Sequence, residues 1–178
     1  MIRETRMERK WEEGRGIIDL ERPESYKPWI YNRELTSGSG KRHVLPDIHY
    51  PQRMIHLMSN LEKEVYFMLR RNEKVLELFE QVQISLTDTM KICEREHLLH
   101  PRKPYTNQPN VMTTDFVAYV DAGKKKEFRA YAVKMSEELE DERVLEKLRI
   151  EQLYWKGKGV LWEIITEKSL TGNKCDGG

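Results

Sequence analysis

Two residues give the sequence its clearest chemical signal. Asp115 lies in the near-alternating run Val111–Val120, and Lys134 lies in Phe128–Met135 (FRAYAVKM). The intervening Asp121–Lys126, with Gly123 and three lysines, reads as a turn. Strands joined by such a turn become neighbours, and the two-residue period puts Ala132 and Lys134 on one face. An acid and an amine brought together in this way suit phosphodiester hydrolysis. Acidic oxygens hold a hard cation such as Mg²⁺, which binds through one or two carboxylates plus the substrate phosphate, and the positive group offsets charge or positions the nucleophile. Asp115 is hard to explain structurally, because Asp disfavours strands and a buried carboxylate needs a partner. Lys134 also has a plainer reading, as a side chain snorkelling from a strand end.

The elements that must position these residues can be read from hydrophobic spacing. Ser59–Arg71 carries Leu61, Val65, Met68 and Leu69 at helical intervals. Ser59-x-x-Glu62 forms a capping box at its start, worth ~1 kcal/mol, and Glu62 has that structural reading in its own right. Val75–Ile84 is strand-like, Ser85–His97 helical, and a Pro-rich loop follows from His100 to Pro109. Glu138–Lys156 is the longest helical pattern, with Leu145, Leu148, Gln152 and Trp155 along one side. Gly157–Gly159 ends it, and Val160–Ile165 reads as a buried strand. Strand, helix and strand in such short order form a βαβ crossover, so the class is α/β with a partly parallel sheet. Three zones result: an arm over 1–58, a core over 59–170 and a polar tail over 171–178. The arm is expected to end in a hairpin of His43–Leu45 and Arg53–Leu57 about a turn at Asp47–Gln52.

Composition narrows the function classes. The 178 residues fit one domain, and 38% hydrophobic against 34% charged still allows a core because the apolar residues cluster. Lys and Arg number 31 against 30 acids, so any claim on nucleic acid rests on local patches. Arg3, Arg6, Arg9, Lys10 and Arg15 make the arm locally basic, diluted by Glu4, Glu8, Glu12 and Glu13. Arg9, Lys10, Arg15, Lys124, Lys125 and Lys126 are the candidates for DNA phosphates, the three turn lysines beside the site; a solvated surface is the plainer reading. Trp29 and Tyr31 are expected to anchor the arm to the core. Cys93 and Cys175 form no CxxC pair, which fits a reducing cytoplasm. His97 and His100 have no carboxylate to complete a zinc motif. The N-terminus lacks a signal peptide's apolar stretch, and no run nears the ~20 apolar residues that span a bilayer.

An acid, a turn and then (D/E)xK is the signature of PD-(D/E)xK nucleases, and longer blocks sharpen the likeness. From about Arg9 to Glu167 the chain resembles the TnsA family of transposon-end endonucleases. The blocks are KWEEGRG, YKPW, MSNLEKEVYF around Glu62, FEQ at Phe79–Gln81, VMTTDF, AVK, DERVLEKLRIEQLYW and LWEIITEK. The resemblance implies a restriction-endonuclease-like core, a mixed sheet flanked by helices. It also implies that Glu62 and Asp115 are metal carboxylates, Lys134 the catalytic lysine, and Mg²⁺ or Mn²⁺ the cofactor. The expected activity is hydrolysis of the strand at the 5′ ends of a transposon in double-stranded DNA, beside a TnsB-like transposase, in the bacterial cytoplasm and at the nucleoid. A TnsC-like ATPase regulator contacts the C-terminal domain of longer members. This chain stops soon after the core, so that contact is left open.

One position departs from the family. Two residues before the lysine, where such nucleases have Glu, Asp or Gln, stands Ala132. The Val133 backbone carbonyl can still supply an oxygen, and Glu151 could face the site from the long helix as an outer ligand. Glu151 could equally make an i,i+4 pair with Lys147 on an exposed face. Ala132 favours an alternative, a catalytically weak nuclease-fold subunit that docks transposase and DNA. A stand-alone restriction-type nuclease would need a target-recognition element, and the sequence offers none.

Overall fold

The computed structural model describes residues 6–35 and 40–172. Arg3, Glu4, Cys175 and most of the expected tail lie outside them. The chain runs from helix α1 (Arg6–Glu12) through an irregular arm to the hairpin β1 (His43–Pro46) and β2 (Met54–Leu57). Helix α2 (Asn60–Arg71), strand β3 (Val75–Gln83) and helix α3 (Leu86–Glu96) follow. Strands β4 (Thr113–Asp121) and β5 (Lys126–Val133) precede α4 (Glu142–Gly157), β6 (Leu161–Ile165) and α5 (Glu167–Gly172). The expected tail therefore starts inside a short helix.

The main sheet has the order β3-β4-β5-β6. Its first three strands are antiparallel, and β6 joins β5 in parallel after the α4 crossover. Helix α2 covers one face with Leu61, Val65 and Leu69 against Leu78, Phe116, Ala118 and Tyr131. On the other face Trp155 of α4 packs with Phe79, Val117 and Ala130, and Ile150 packs with Ile92 of α3. Leu145, expected in the α4 stripe, is 45% exposed; Leu148, Ile150, Glu151 and Trp155 form the buried side instead. Helix ends follow local chemistry. Ser59 and Ser85 accept from the N–H groups of Glu62 and Asp88, and Asp141 caps α4. His97 ends α3 in the left-handed conformation, while His100 is buried on Thr89.

Of the two aromatics expected to anchor the arm to the core, Trp29 does so. Trp29 is buried and donates its backbone N–H to the Gln81 carbonyl of β3 at 3.0 Å, whereas Tyr31 packs on His56 of the hairpin, within the arm itself. A buried charge network ties the hairpin to the core. Asp47 of the hairpin loop accepts from Arg53 at 3.1 Å and from Arg70 of α2 at 2.6 Å, while Arg53 also pairs with Glu80 of β3. Two acids and two guanidiniums leave the cluster neutral, the condition under which buried charges persist.

Candidate active site

The site forms where β4 and β5 part. Their ladder runs from Asp121↔Lys126 to Phe116↔Tyr131 and stops there. The next position on β4 is Asp115, whose carboxylate takes the place of a ladder bond by accepting the Val133 N–H at 2.7 Å. Strand β5 meanwhile stays paired with β6 as far as Val133↔Ile165, and Lys134 donates its backbone N–H to Ile165 at 3.0 Å. The Lys134 side chain is thus carried to the fork beside Asp115. Asp115 raises the lysine above its ordinary pKa, outweighing the burial that lowers it, and Glu138, Glu151 and Glu62 add to the effect. No ion pair within 4 Å joins Lys134 to these acids among the described residues.

Helix α2 supplies Glu62 from its first turn. Its N–H donates to the Ser59 hydroxyl, as the capping box requires, but its carboxylate reaches past the cap residue to the Met58 N–H at 2.8 Å. The capping and site readings of Glu62 therefore coexist. Burial and then the Asp115 charge push its pKa up to about 8, against the Met58 bond, Lys134 and a hydrogen bond from Gln81. Glu151 comes from α4 and is buried, which excludes the exposed pair with Lys147. Trp162 donates to it at 3.0 Å, and burial followed by Asp115 raises it to about 7. Ala132, 1% exposed and registered against Ile164, brings no side-chain donor.

The structure therefore brings Glu62, Asp115, Lys134 and Glu151 into one electrostatic neighbourhood. Lys124, Lys125 and Lys126 are not part of it. They occupy the hairpin turn at the far end of β4 and β5, about 20 Å from Asp115 at ~3.3 Å per strand residue. Two arm candidates are also committed elsewhere. Arg15 is buried with Glu13 and Glu34 at 2.7 and 2.8 Å, and Lys10 pairs with Glu34 at 3.2 Å. Arg9 is exposed. Sequence reading missed Gln81, which donates to Asp115 at 3.4 Å and also hydrogen-bonds Glu62. In the sequence Gln81 stands only as the last residue of the FEQ block.

The donor chemistry fits a hard divalent cation. Two neighbouring carboxylates, one pushed toward its neutral form by burial and then by the charge of the other, are what a cation would relieve. Among the described residues no three His, Cys, Asp or Glu side chains stand close enough to hold a metal by themselves. The set is a two-carboxylate one, with further oxygens left to backbone, water and substrate, as suits Mg²⁺.

A mixed sheet with an acid at the fork of two strands, a lysine ending the second and a carboxylate from the flanking helix defines the core of the restriction-endonuclease-like class. Comparison with known proteins is more particular. The family described as TnsA-like endonuclease N terminal matches residues 72–167, a stretch holding Asp115 and Lys134 but starting after Glu62. The chain belongs to that family. It is 35% identical over 167 residues to the transposon Tn7 transposition protein TnsA of Escherichia coli, covering 94% of this chain. The chain spans 58% of the length of that relative.

Proposed function

We propose that this chain is a Mg²⁺- or Mn²⁺-dependent DNA endonuclease. It cuts the strand at the 5′ ends of a transposon and acts with a TnsB-like transposase. The observation that carries the reading is the meeting of Glu62, Asp115 and Lys134 at the β4–β5 fork in a chain of this family. No helix is long and apolar enough to cross a membrane, among the described residues.

Glu62, Asp115 and the Val133 carbonyl would hold the cation, which supplies Lewis-acid activation of the scissile phosphate and of a bound water. Asp115 keeps one oxygen on the Val133 N–H, so the strand that carries the lysine also fixes the acid. Lys134 stays protonated beside Asp115 and offsets negative charge developing on the phosphate or orients the attacking water. Hydrolysis leaves a 5′-phosphate and a 3′-hydroxyl. Glu151, held by Trp162 and within the electrostatic reach of Asp115, acts from outside the ligand set. DNA is read mainly through its backbone, with sequence choice left to the transposase.

The test is to incubate the chain with its transposase, transposon-end DNA and Mg²⁺ or Mn²⁺, and to follow 5′-strand cleavage. Asp115→Ala and Lys134→Ala should abolish cutting. Cutting by Asp115→Ala at the unmodified rate refutes the site. Ala132 favours the second reading, a weak subunit that docks transposase and DNA, because its buried methyl group brings no ligand. Absence of cleavage, with recovery in Ala132→Gln, would establish that reading instead.

A further inference from the structure

Gln81 sits in β3 with a backbone that a glutamine seldom adopts. Its φ is +46°, in the left-handed region, in the middle of a strand. The β3–β4 ladder pairs Glu80 with Phe116 and Val82 with Thr114, but skips Gln81 and Asp115 between them. This local break turns both ends of the residue to other tasks. The Gln81 carbonyl accepts the Trp29 N–H of the arm at 3.0 Å. Its side chain, 3% exposed, turns to the site. There the amide Nε2 donates to Asp115 Oδ1 at 3.4 Å and the amide hydrogen-bonds Glu62, while Oε1 accepts from the Thr113 hydroxyl at 3.0 Å. Asp115 fixes which end of the amide is which, because a carboxylate only accepts and so takes the NH₂, leaving Oε1 for the Thr113 hydroxyl.

We propose that Gln81 is a positioning residue: its amide bridges Glu62 and Asp115 and holds the two carboxylates together as a ligand pair. The proposal rests on the reading of those acids as cation ligands. A main-chain conformation this rare, in a strand that would otherwise pair regularly, is kept only where the surroundings enforce it, and here both consequences of the break are used. An amide suits the task. It stabilises two neighbouring negative groups without adding a charge of its own, and it leaves their remaining lone pairs free. The side chain at position 132 contributes nothing, so the orientation of the two remaining carboxylates falls to their neighbours on the other side.

Two variants separate this role from a structural one. Gln81→Met keeps the volume and removes the amide. Gln81→Gly removes the amide and relieves the left-handed backbone, while keeping the carbonyl for Trp29. Mn²⁺ is titrated into the whole chain by calorimetry, with melting temperatures measured in parallel and Asp115→Ala as reference. Both variants should bind Mn²⁺ about tenfold more weakly than the unmodified chain, the low end of what losing an outer partner of a ligand costs. Gln81→Gly should do so without melting lower. Transposon-end cleavage should fall in step and recover in part at higher Mn²⁺. If both variants bind Mn²⁺ like the unmodified chain while Asp115→Ala loses binding, the role of Gln81 is overturned and the ligand reading stands. If Asp115→Ala also binds normally, both fall.

Discussion

Removing the Glu62 charge should stabilise the metal-free protein while ending its activity. In the folded chain Glu62 is raised from 4.5 to about 8, by burial first and by Asp115 second. A carboxyl raised on folding carries no penalty below its unfolded value, because both states are then protonated. The penalty grows as pH rises from 4.5 and levels off above 8. At about 1.4 kcal/mol per pH unit the ceiling is about 4–5 kcal/mol, and relaxation with water entry cuts this to about 2–3 kcal/mol. Glu62→Gln abolishes the charge and keeps an oxygen for the Met58 N–H, but sets its NH₂ against that of Gln81, at about 1 kcal/mol. The net gain at pH 8.5 is then about 1–2 kcal/mol, or about 3–6 °C in a domain of this size. Urea titrations of both proteins, in chelator at pH 4.5 and pH 8.5, measure it. The variant should be more stable at the higher pH only, and should show no Mg²⁺-dependent cleavage. A difference that does not change with pH, or a variant less stable at pH 8.5, would refute the account of Glu62.

Three further outcomes follow from the geometry. Burial alone would raise Glu34, yet bonds from Arg15, the Tyr31 N–H and Lys10 bring it down to about 2; the stability this confers is complete above 4.5 and lost as pH falls toward 2. After allowance for solvent screening it amounts to about 1–2 kcal/mol, so unfolding free energy should drop between pH 5 and pH 2.5 and Glu34→Gln should flatten that drop. Gly16 has φ +69° and a Cβ there would stand 2.8 Å from the Gln83 nitrogen, so Gly16→Ala should cost about 2 kcal/mol, read as a lower melting temperature. Replacing Lys124, Lys125 and Lys126 together by Ala should leave the rate of cleavage at a bound end unchanged in a single-turnover assay, because that turn is remote from the fork.

Much of this fold is legible in the residues, for identifiable reasons. The β4 and β5 strands and their turn follow from alternation around Gly123, and α4 with β6 from an uninterrupted helical pattern closed by glycines. Asp115 stands out because a strand interior is a poor place for Asp. Glu151 remains ambiguous in the sequence, since helical spacing offers it Lys147 as readily as a buried site and only the packing of α4 on the sheet decides. Lys10 and Arg15 look like free cations until the arm folds Glu34 back onto them. Half-buried and flanked by Arg6 and Arg15, Lys10 is held below its ordinary pKa in spite of that pair. The turn lysines look close to the site because they lie between its two residues in the chain, but two antiparallel strands put the turn at the opposite end. Gln81 is the least legible, because a backbone break in mid-strand has no residue signature when the residue is neither Gly nor Asn.

The charge network under the hairpin reaches further than its own neighbourhood. Arg70 lies two helical turns along α2 from Glu62, and Glu80 immediately precedes Gln81. Asp47 and Arg53 therefore grip the same two elements that carry Glu62 and Gln81. Truncating Arg53 would leave the buried Glu80 without its guanidinium and Asp47 with Arg70 alone, at about 3–5 kcal/mol, and the loss would be shared by hairpin, helix and strand. Amide exchange in β2, α2 and β3 should then speed up together, as one cooperative opening. The hairpin that looks peripheral along the chain is, in its unfolding, one unit with the elements that carry Glu62 and Gln81.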